Sequence, residues 1–177
     1  MRCFLAIELN EETTDKLAAA TTELRELGID AAFPKEFHIT LCFFGEITEQ
    51  QAADKIQKLQ DLQVPTFPLK ITGVGFFPNE NFVRTIWAGG SDGSAQLIQL
   101  QKTVAEKLAY KNDFRFTPHA TLARVKTPRN KEKLKPWAEQ NKNREFGTTT
   151  IDKIAFKKST LTPEGPQYET LAEIPLK

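Results

Sequence analysis

His38-Ile39-Thr40-Leu41 and His119-Ala120-Thr121-Leu122 decide the fold, because they place the only two histidines of this chain in one shared pattern. In each stretch a threonine follows the histidine by two positions and a leucine follows it by three. Two positions is the period of a β-strand, so His and Thr project to one face and the apolar residues to the other. The pattern predicts two half-buried strands that each offer an imidazole and a hydroxyl to a shared space.

The residues before each motif predict a helix. Residues 2–8 alternate as a strand does, and Asn10 is placed to cap a helix that Gly28 ends. In the second half, a glycine-rich turn leads to a helix that starts near Ser94. In both halves the histidine strand begins about ten residues after the helix ends.

A helix is also predicted after each motif. Thr48 and Gln51 have the spacing of a capping box, and a helical segment begins near Asn130, where Pro136 is expected to shorten or break it. Further strands are predicted near residues 67–76, 82–88, 150–158 and 168–175.

The order helix, histidine strand, helix therefore occurs twice. It predicts an α+β fold of two lobes related by a pseudo-two-fold, each with an antiparallel sheet and helices. The two motif strands would face a central cleft between the lobes. We expect residues 1–177 to form one two-lobed domain with an internal duplication, marked by residues 38–41 and 119–122.

The composition is that of an ordinary globular protein, with 40% hydrophobic and 27% charged residues. Acidic residues outnumber basic ones in residues 1–88, and the reverse holds in residues 89–177, which suits an anionic substrate or a solvated basic face. Cys3 and Cys42 form no disulfide framework, and no signal peptide or membrane-length segment is recognisable. A cytoplasmic protein with reduced thiols and no membrane partner is expected. Alternation also puts Cys42 on the face of the first histidine, at the cleft border.

Two imidazoles with pKa values near 6.5 can act as an acid and a base at phosphorus. The threonine hydroxyls can donate hydrogen bonds to the non-bridging oxygens as negative charge develops there. The two histidines are far apart in sequence and no HExxH-type cluster occurs, so no metal or other cofactor is expected. The motifs indicate a shared catalytic site.

Several stretches, including the two motifs, carry a resemblance to a known family. They are residues 2–7, 37–41, 44–46, 75–78, 86–87, 116–125 and 161–168, which together run nearly from end to end. The chain resembles the two-histidine (2H) phosphoesterases. The most similar branch is that of the bacterial and archaeal RNA 2′,3′-cyclic phosphodiesterases, also called 2′-5′ RNA ligases.

The resemblance implies the bilobal fold and an enzyme, an RNA 2′,3′-cyclic 3′-phosphodiesterase. Its substrate would be RNA with a 2′,3′-cyclic phosphate end, such as a tRNA fragment, and its product a 2′-phosphate. In this branch His38 would protonate the leaving 3′-oxygen and His119 would accept a proton from water. Thr40, Thr121 and Arg124 would bind the phosphate. The reverse step would form a 2′-5′ RNA linkage, and a monomer is expected.

Arg124 matches a phosphate-binding arginine of the family, but strict alternation puts it on the face opposite His119. Either the strand bends, or Arg124 is a surface residue; we favour the phosphate role. Relatives also often have arginine in the segment matching residues 158–161, where this chain has Thr160. Because Thr160 carries no charge, the sequence gives less reason to expect a basic contact from that strand in this chain than in those relatives.

Other assignments stay open at this point. The basic residues from Arg124 to Lys135 either follow an RNA backbone or form a solvated face. A base-stacking platform could be among five phenylalanines, namely Phe43, Phe44, Phe76, Phe77 and Phe82. Alternative functions are a phosphodiesterase on 2′-5′ oligonucleotides or small cyclic nucleotides, and an RNA-end-binding module without turnover. Two intact motifs favour an enzyme, because binding an anion does not require two titrating imidazoles.

Overall fold

The computed structural model describes residues 1–112 and 114–177. Within these residues the strands are β1 (Arg2–Glu8), β2 (Ala31–Ala32), β3 (His38–Glu46), β4 (Phe67–Asn79), β5 (Phe82–Gly90), β6 (His119–Val125), β7 (Glu145–Ile151), β8 (Lys153–Thr162) and β9 (Gly165–Pro175). The helices are α1 (Glu11–Glu26), α2 (Glu49–Leu59), α3 (Ser94–Lys107) and α4 (Leu134–Gln140). One 3-10 turn, Lys131–Lys133, precedes α4.

The strands form two sheets, which we call the first and the second sheet. The first has the order β3-β1-β8-β9 and the second the order β2-β6-β5-β4-β7. All paired neighbours run antiparallel. Each sheet thus contains one histidine strand, β3 in the first and β6 in the second. The predicted α+β fold with two antiparallel sheets is confirmed, whereas the internal duplication stays a prediction.

The helix boundaries follow from local capping. The Asn10 side chain accepts a hydrogen bond from the Thr13 backbone N–H at 3.0 Å, and α1 ends just before Gly28, whose φ of +76° suits glycine. Both hydrogen bonds of the capping box between Thr48 and Gln51 are formed. The predicted starts of α1, α2 and α3 are confirmed.

Two predicted elements differ from the structure. Pro136 is the third residue of α4, where its missing N–H would have no partner inside the helix, so it does not break α4, although the helix is short at seven residues. The strand predicted near residues 150–158 is two strands in different sheets. Asp152 separates β7 from β8, and the chain passes from the second sheet to the first at this residue.

The helices connect the sheets through a common apolar core. Helix α1 packs on β7 and β6, and α3 packs on β4 of the second sheet and β3 of the first. From α3, the buried amide of Gln101 donates a hydrogen bond to the Leu41 carbonyl at 3.3 Å. The histidine strand β3 is therefore fixed from behind by a helix of the opposite sheet. In the described part of the chain, no helix has the length and apolar character that crossing a membrane requires.

Candidate active site

The two histidine strands, β3 and β6, come from different sheets and contact each other. In both strands the histidine and threonine of the motif are half-buried, whereas the apolar residues beside them are buried. The half-buried residues are His38, Thr40, His119 and Thr121, and the buried ones are Ile39, Leu41, Ala120 and Leu122. The predicted alternation within the motifs is confirmed.

A β-bulge in β6 decides where Arg124 lies. The register between β5 and β6 skips Leu122, and both Leu122 and Ala123 are buried. Such a bulge shifts the alternation by one residue, so Arg124 returns to the histidine face. Burial lowers the pKa of His38 and of His119, and the positive charge of Arg124 lowers both further. The opposite face given by strict alternation is wrong, and the bend in the strand resolves the conflict.

An equivalent bulge in β3 changes the prediction for Cys42. The register between β1 and β3 skips Leu41, and Cys42 is 1% exposed within the core. The expectation that Cys42 borders the cleft is therefore wrong. Phe43 takes the cleft-side position and is 44% exposed. Cys3 is also buried, and both thiols are free.

His38 lies among aromatic rings. Its ring centroid is 5.1 Å from that of Phe4 and 5.2 Å from that of Tyr168, which meets it edge-on. Its Nδ1 is buried and has no hydrogen-bond partner among the described residues. Burial, followed by the positive charges of Lys157 and Arg124, lowers the pKa of His38 to about 4. Without a bound anion this imidazole is neutral at pH 7.

A partly buried ion pair lies beside His38. Lys157, 7% exposed, has its Nζ 2.7 Å from the carboxylate of Glu8, and Glu8 is the strand partner of His38. The negative charge of Glu8 opposes the lowering of the His38 pKa. A cavity of about 380 Å³ opens here, and its lining includes Thr14 and Lys35 as well as the ion pair and His38.

His119 is held in one orientation by the backbone. Its Nδ1 is 2.6 Å from the carbonyl oxygen of Thr117, which can only accept, so Nδ1 carries the hydrogen. Neutral His119 therefore presents the lone pair of Nε2. Burial lowers the pKa of His119, while the hydrogen bond to Thr117 raises it. The ring packs edge-on against Phe77 at 4.9 Å and lies 6.2 Å from Trp87.

The structure sorts the five candidate phenylalanines. Phe77 contacts His119, Phe43 and Phe82 are exposed, and Phe44 and Phe76 pack against the core. Sequence reasoning missed four residues near the imidazoles, namely Phe4, Trp87, Lys157 and Tyr168. The alternation of β1 could have placed Phe4 on the face of Glu8, but the positions of the others depend on strand pairing.

The remaining predicted features keep their open status. The basic residues from Arg124 to Lys135 are exposed, which agrees with either an RNA-binding or a solvated face. Across residues 1–112 and 114–177, no three His, Cys, Asp or Glu side chains cluster as metal ligands would. The expectation of a reaction without cofactors stays a prediction.

Chemically, the site combines an imidazole with an available lone pair, a second imidazole in a cationic environment, two hydroxyls and a guanidinium. A family model described as the 2′-5′ RNA ligase superfamily matches residues 13–161. A Methanocaldococcus jannaschii protein named RNA 2′,3′-cyclic phosphodiesterase is 35% identical over 176 residues, covering 98% of this chain and 99% of that protein. A protein of the same name from Aquifex aeolicus is 37% identical over 147 residues, covering 79% and 78%.

Solved structures agree with these sequence matches. The crystal structure of TT0787 of Thermus thermophilus is 30% identical, with a TM-score of 0.73 over 99% of this chain and 98% of that one. E. coli LigT in its apo form shares the fold at 19% identity, with a TM-score of 0.77 over 99% of this chain and 96% of that one. With the family model spanning most of the chain and a full-length relative at 35% identity, this chain belongs to the 2′-5′ RNA ligase superfamily.

Proposed function

We propose that this protein hydrolyses the terminal 2′,3′-cyclic phosphate of RNA to a 2′-phosphate. The relatives from Methanocaldococcus jannaschii and Aquifex aeolicus both carry the name RNA 2′,3′-cyclic phosphodiesterase. The observation that carries the proposal is the hydrogen bond from His119 Nδ1 to the Thr117 carbonyl. It leaves Nε2 free as a proton acceptor, on a strand that contacts the strand of the second imidazole.

In the proposed step, His119 Nε2 takes a proton from a water molecule whose oxygen attacks phosphorus. The bond from phosphorus to the 3′-oxygen breaks, and His38 gives its proton to that oxygen. The products are a 2′-phosphate and a free 3′-hydroxyl. The hydroxyls of Thr40 and Thr121 and the guanidinium of Arg124 donate hydrogen bonds to the non-bridging oxygens as their charge increases. Acid and base are both protein side chains, so the step as proposed needs no metal ion.

This mechanism requires His38 to be protonated when the substrate is bound. Burial, and then the charges of Lys157 and Arg124, keep the pKa of His38 low in the free protein, and an anionic phosphate beside the two cations would offset their charge. Substrate binding is thus coupled to proton uptake by His38. Because both imidazoles have lowered pKa values in the free protein, kcat/KM should follow a bell-shaped pH profile with its maximum below pH 6.5.

The same residues support the reverse reaction. Microscopic reversibility allows an RNA 5′-hydroxyl to replace water beside His119, which would join two RNA ends through a 2′-5′ linkage. We propose this ligation as a minor activity of the site. RNA fragments such as those of tRNA would supply the ends, and the monomeric state and cytoplasmic location expected from the sequence stay predictions.

The test uses purified protein in EDTA with a short RNA that ends in a 2′,3′-cyclic phosphate. The products are resolved as 2′- or 3′-monophosphates, and His38→Ala and His119→Ala serve as controls. We expect conversion to the 2′-phosphate by the parent and a loss of at least about 100-fold in each variant, since each proton transfer contributes about 10²–10⁴-fold. Full activity in both variants would refute the mechanism. Binding of the RNA end without turnover would support a binding module. Turnover of 2′-5′ oligonucleotides alone would assign the protein a different substrate.

A further inference from the structure

We propose that a strip of exposed and half-buried aromatic and basic side chains beside the active site binds the single-stranded RNA on the 5′ side of the cyclic phosphate. This inference rests on the proposed function and assigns the part of the substrate that does not react. We call the strip the upstream surface. Its residues are Arg2, Phe43, Lys102, Tyr110, Lys111 and Phe114.

The upstream surface begins next to His38. Phe4 packs on the His38 ring at 5.1 Å and is the strand partner of Phe43. The bulge in β3 turns Phe43 toward the cleft, where it is 44% exposed. The Arg2 guanidinium lies 5.0 Å from the centroid of the Phe43 ring. The half-buried Arg2 side chain thus places a positive charge beside the exposed Phe43 ring.

The surface continues from Phe43 into a cavity. The backbone N–H of Phe43 donates to the hydroxyl of Tyr110 at 3.3 Å. Tyr110 lines a cavity of about 440 Å³ at the C-terminal end of α3, together with Lys102, Lys111 and Phe114. Phe114 is 81% exposed. The faces of its ring are therefore accessible for stacking.

The chemistry of the surface fits single-stranded RNA. Proteins hold such strands by stacking bases on aromatic rings and by pairing cations with the phosphates, largely without regard to sequence. Here three aromatic rings and three basic side chains are grouped at Phe43 and at the cavity, whose lining also includes the acidic Glu106. The hydrogen bond from the Phe43 backbone N–H to the Tyr110 hydroxyl brings the cavity next to Phe43, while the Tyr110 ring itself packs edge-on against Phe44 at 5.7 Å.

The direction of the reaction places the upstream RNA on this side. In the proposed step the 3′-oxygen leaves toward His38, and water approaches phosphorus from the opposite side, near His119. The 3′-carbon of the ribose is bonded to the 4′-carbon, which bears the link to the preceding nucleotide. The RNA chain therefore continues from the His38 side, where Phe4 and Phe43 lie.

The test compares a tetranucleotide with a mononucleotide in the parent and in four variants. Arg2→Gln and Phe114→Ser alter the upstream surface. The proposal selects Phe43 and not Phe82 from the candidate stacking residues, so Arg84→Gln and Phe82→Ser are the matched controls. The Arg84 guanidinium lies 4.9 Å from the ring of Phe82, which is 56% exposed at the start of β5 in the second sheet. Binding is measured by fluorescence anisotropy with RNA ending in a 2′-phosphate, and kcat/KM with the cyclic-ended forms of both substrates.

Each upstream variant should weaken tetranucleotide binding and kcat/KM about tenfold, within the range expected for one stacked base. The same variants should change the values for the mononucleotide less than about twofold, and the controls should change neither. Arg2→Gln should also reduce the slope of log affinity against log salt by about 0.7, the value for one phosphate contact on a single strand.

Three results would overturn the upstream surface, and the first two are a parent that binds the tetranucleotide no more tightly than the mononucleotide and upstream variants that affect both ligands equally. Equal losses in the control variants would likewise refute it, because they would indicate a general effect of charge or surface polarity. The proposed function fails separately, if the parent turns over neither cyclic substrate. In that case the binding comparison still decides whether the surface holds RNA.

Discussion

Acidification should destabilise this protein through His38 in a way that one substitution can isolate. The pKa of His38 is lowered from 6.5 to about 4 in the folded protein, chiefly by burial. Between these values the unfolded chain binds a proton that the folded chain does not, so the free energy of unfolding falls as the pH falls. From pH 7 to pH 5 this amounts to about 2 kcal/mol, and the loss is complete below pH 4.

The assay is urea unfolding at several pH values from 7 to 5, followed by the fluorescence of the two tryptophans. His38→Gln keeps a neutral polar side chain at every pH, so the parent should lose about 2 kcal/mol more than the variant over this range. The carboxylates and His119 titrate in both proteins and cancel in the difference. Parallel pH dependences in parent and variant would refute the assignment of a strongly lowered pKa.

Inorganic phosphate extends this test to the site. An anion bound beside His38 would favour the imidazolium, so saturating phosphate should reduce the difference between parent and His38→Gln. A difference that phosphate leaves unchanged would mean that the anion does not bind next to this imidazole.

Three further outcomes are expected. Arg124→Gln should lower kcat/KM about 10- to 100-fold in steady-state assays, since a hydrogen bond to a charged group contributes about 1.5–3 kcal/mol; unchanged kinetics would return Arg124 to the surface. Lys157→Met leaves the Glu8 carboxylate beside His38 without its cation, so the pKa of His38 should rise and the acid destabilisation measured by urea unfolding should shrink. Asn10→Ala should lower the free energy of unfolding by about 1 kcal/mol in the same assay, because the cap of α1 is lost; equal stability would contradict that role.

The elements set by short-range patterns could be predicted from the sequence. The strand at residues 2–8, the caps at Asn10 and Thr48 and the alternation within both motifs depend on neighbours a few positions away. The imidazoles and hydroxyls of the candidate site could be proposed from the sequence because one pattern occurs twice.

The bulges could not be predicted, because a bulge is a property of a strand pair. Leu41 is skipped in the pairing of β3 with β1, and Leu122 is skipped in the pairing of β6 with β5. In both cases the partner strand lies far away in sequence. Alternation alone therefore misplaced Arg124 and Cys42. The contact between Tyr168 and His38 could not be predicted for the same reason. It depends on the pairing of β9 with β8 at the far edge of the first sheet.

The burial of both cysteines provides a built-in probe of unfolding. Burial raises the pKa of Cys3 and raises that of Cys42 to about 12. Alkylating reagents react with the thiolate, and at pH 8 only about one Cys42 thiol in ten thousand would be ionised in the closed core. Alkylation of Cys42 therefore requires the core to open. Its rate, followed against urea concentration by mass spectrometry, would separate local opening of β1 and β3 from global unfolding without any engineered label.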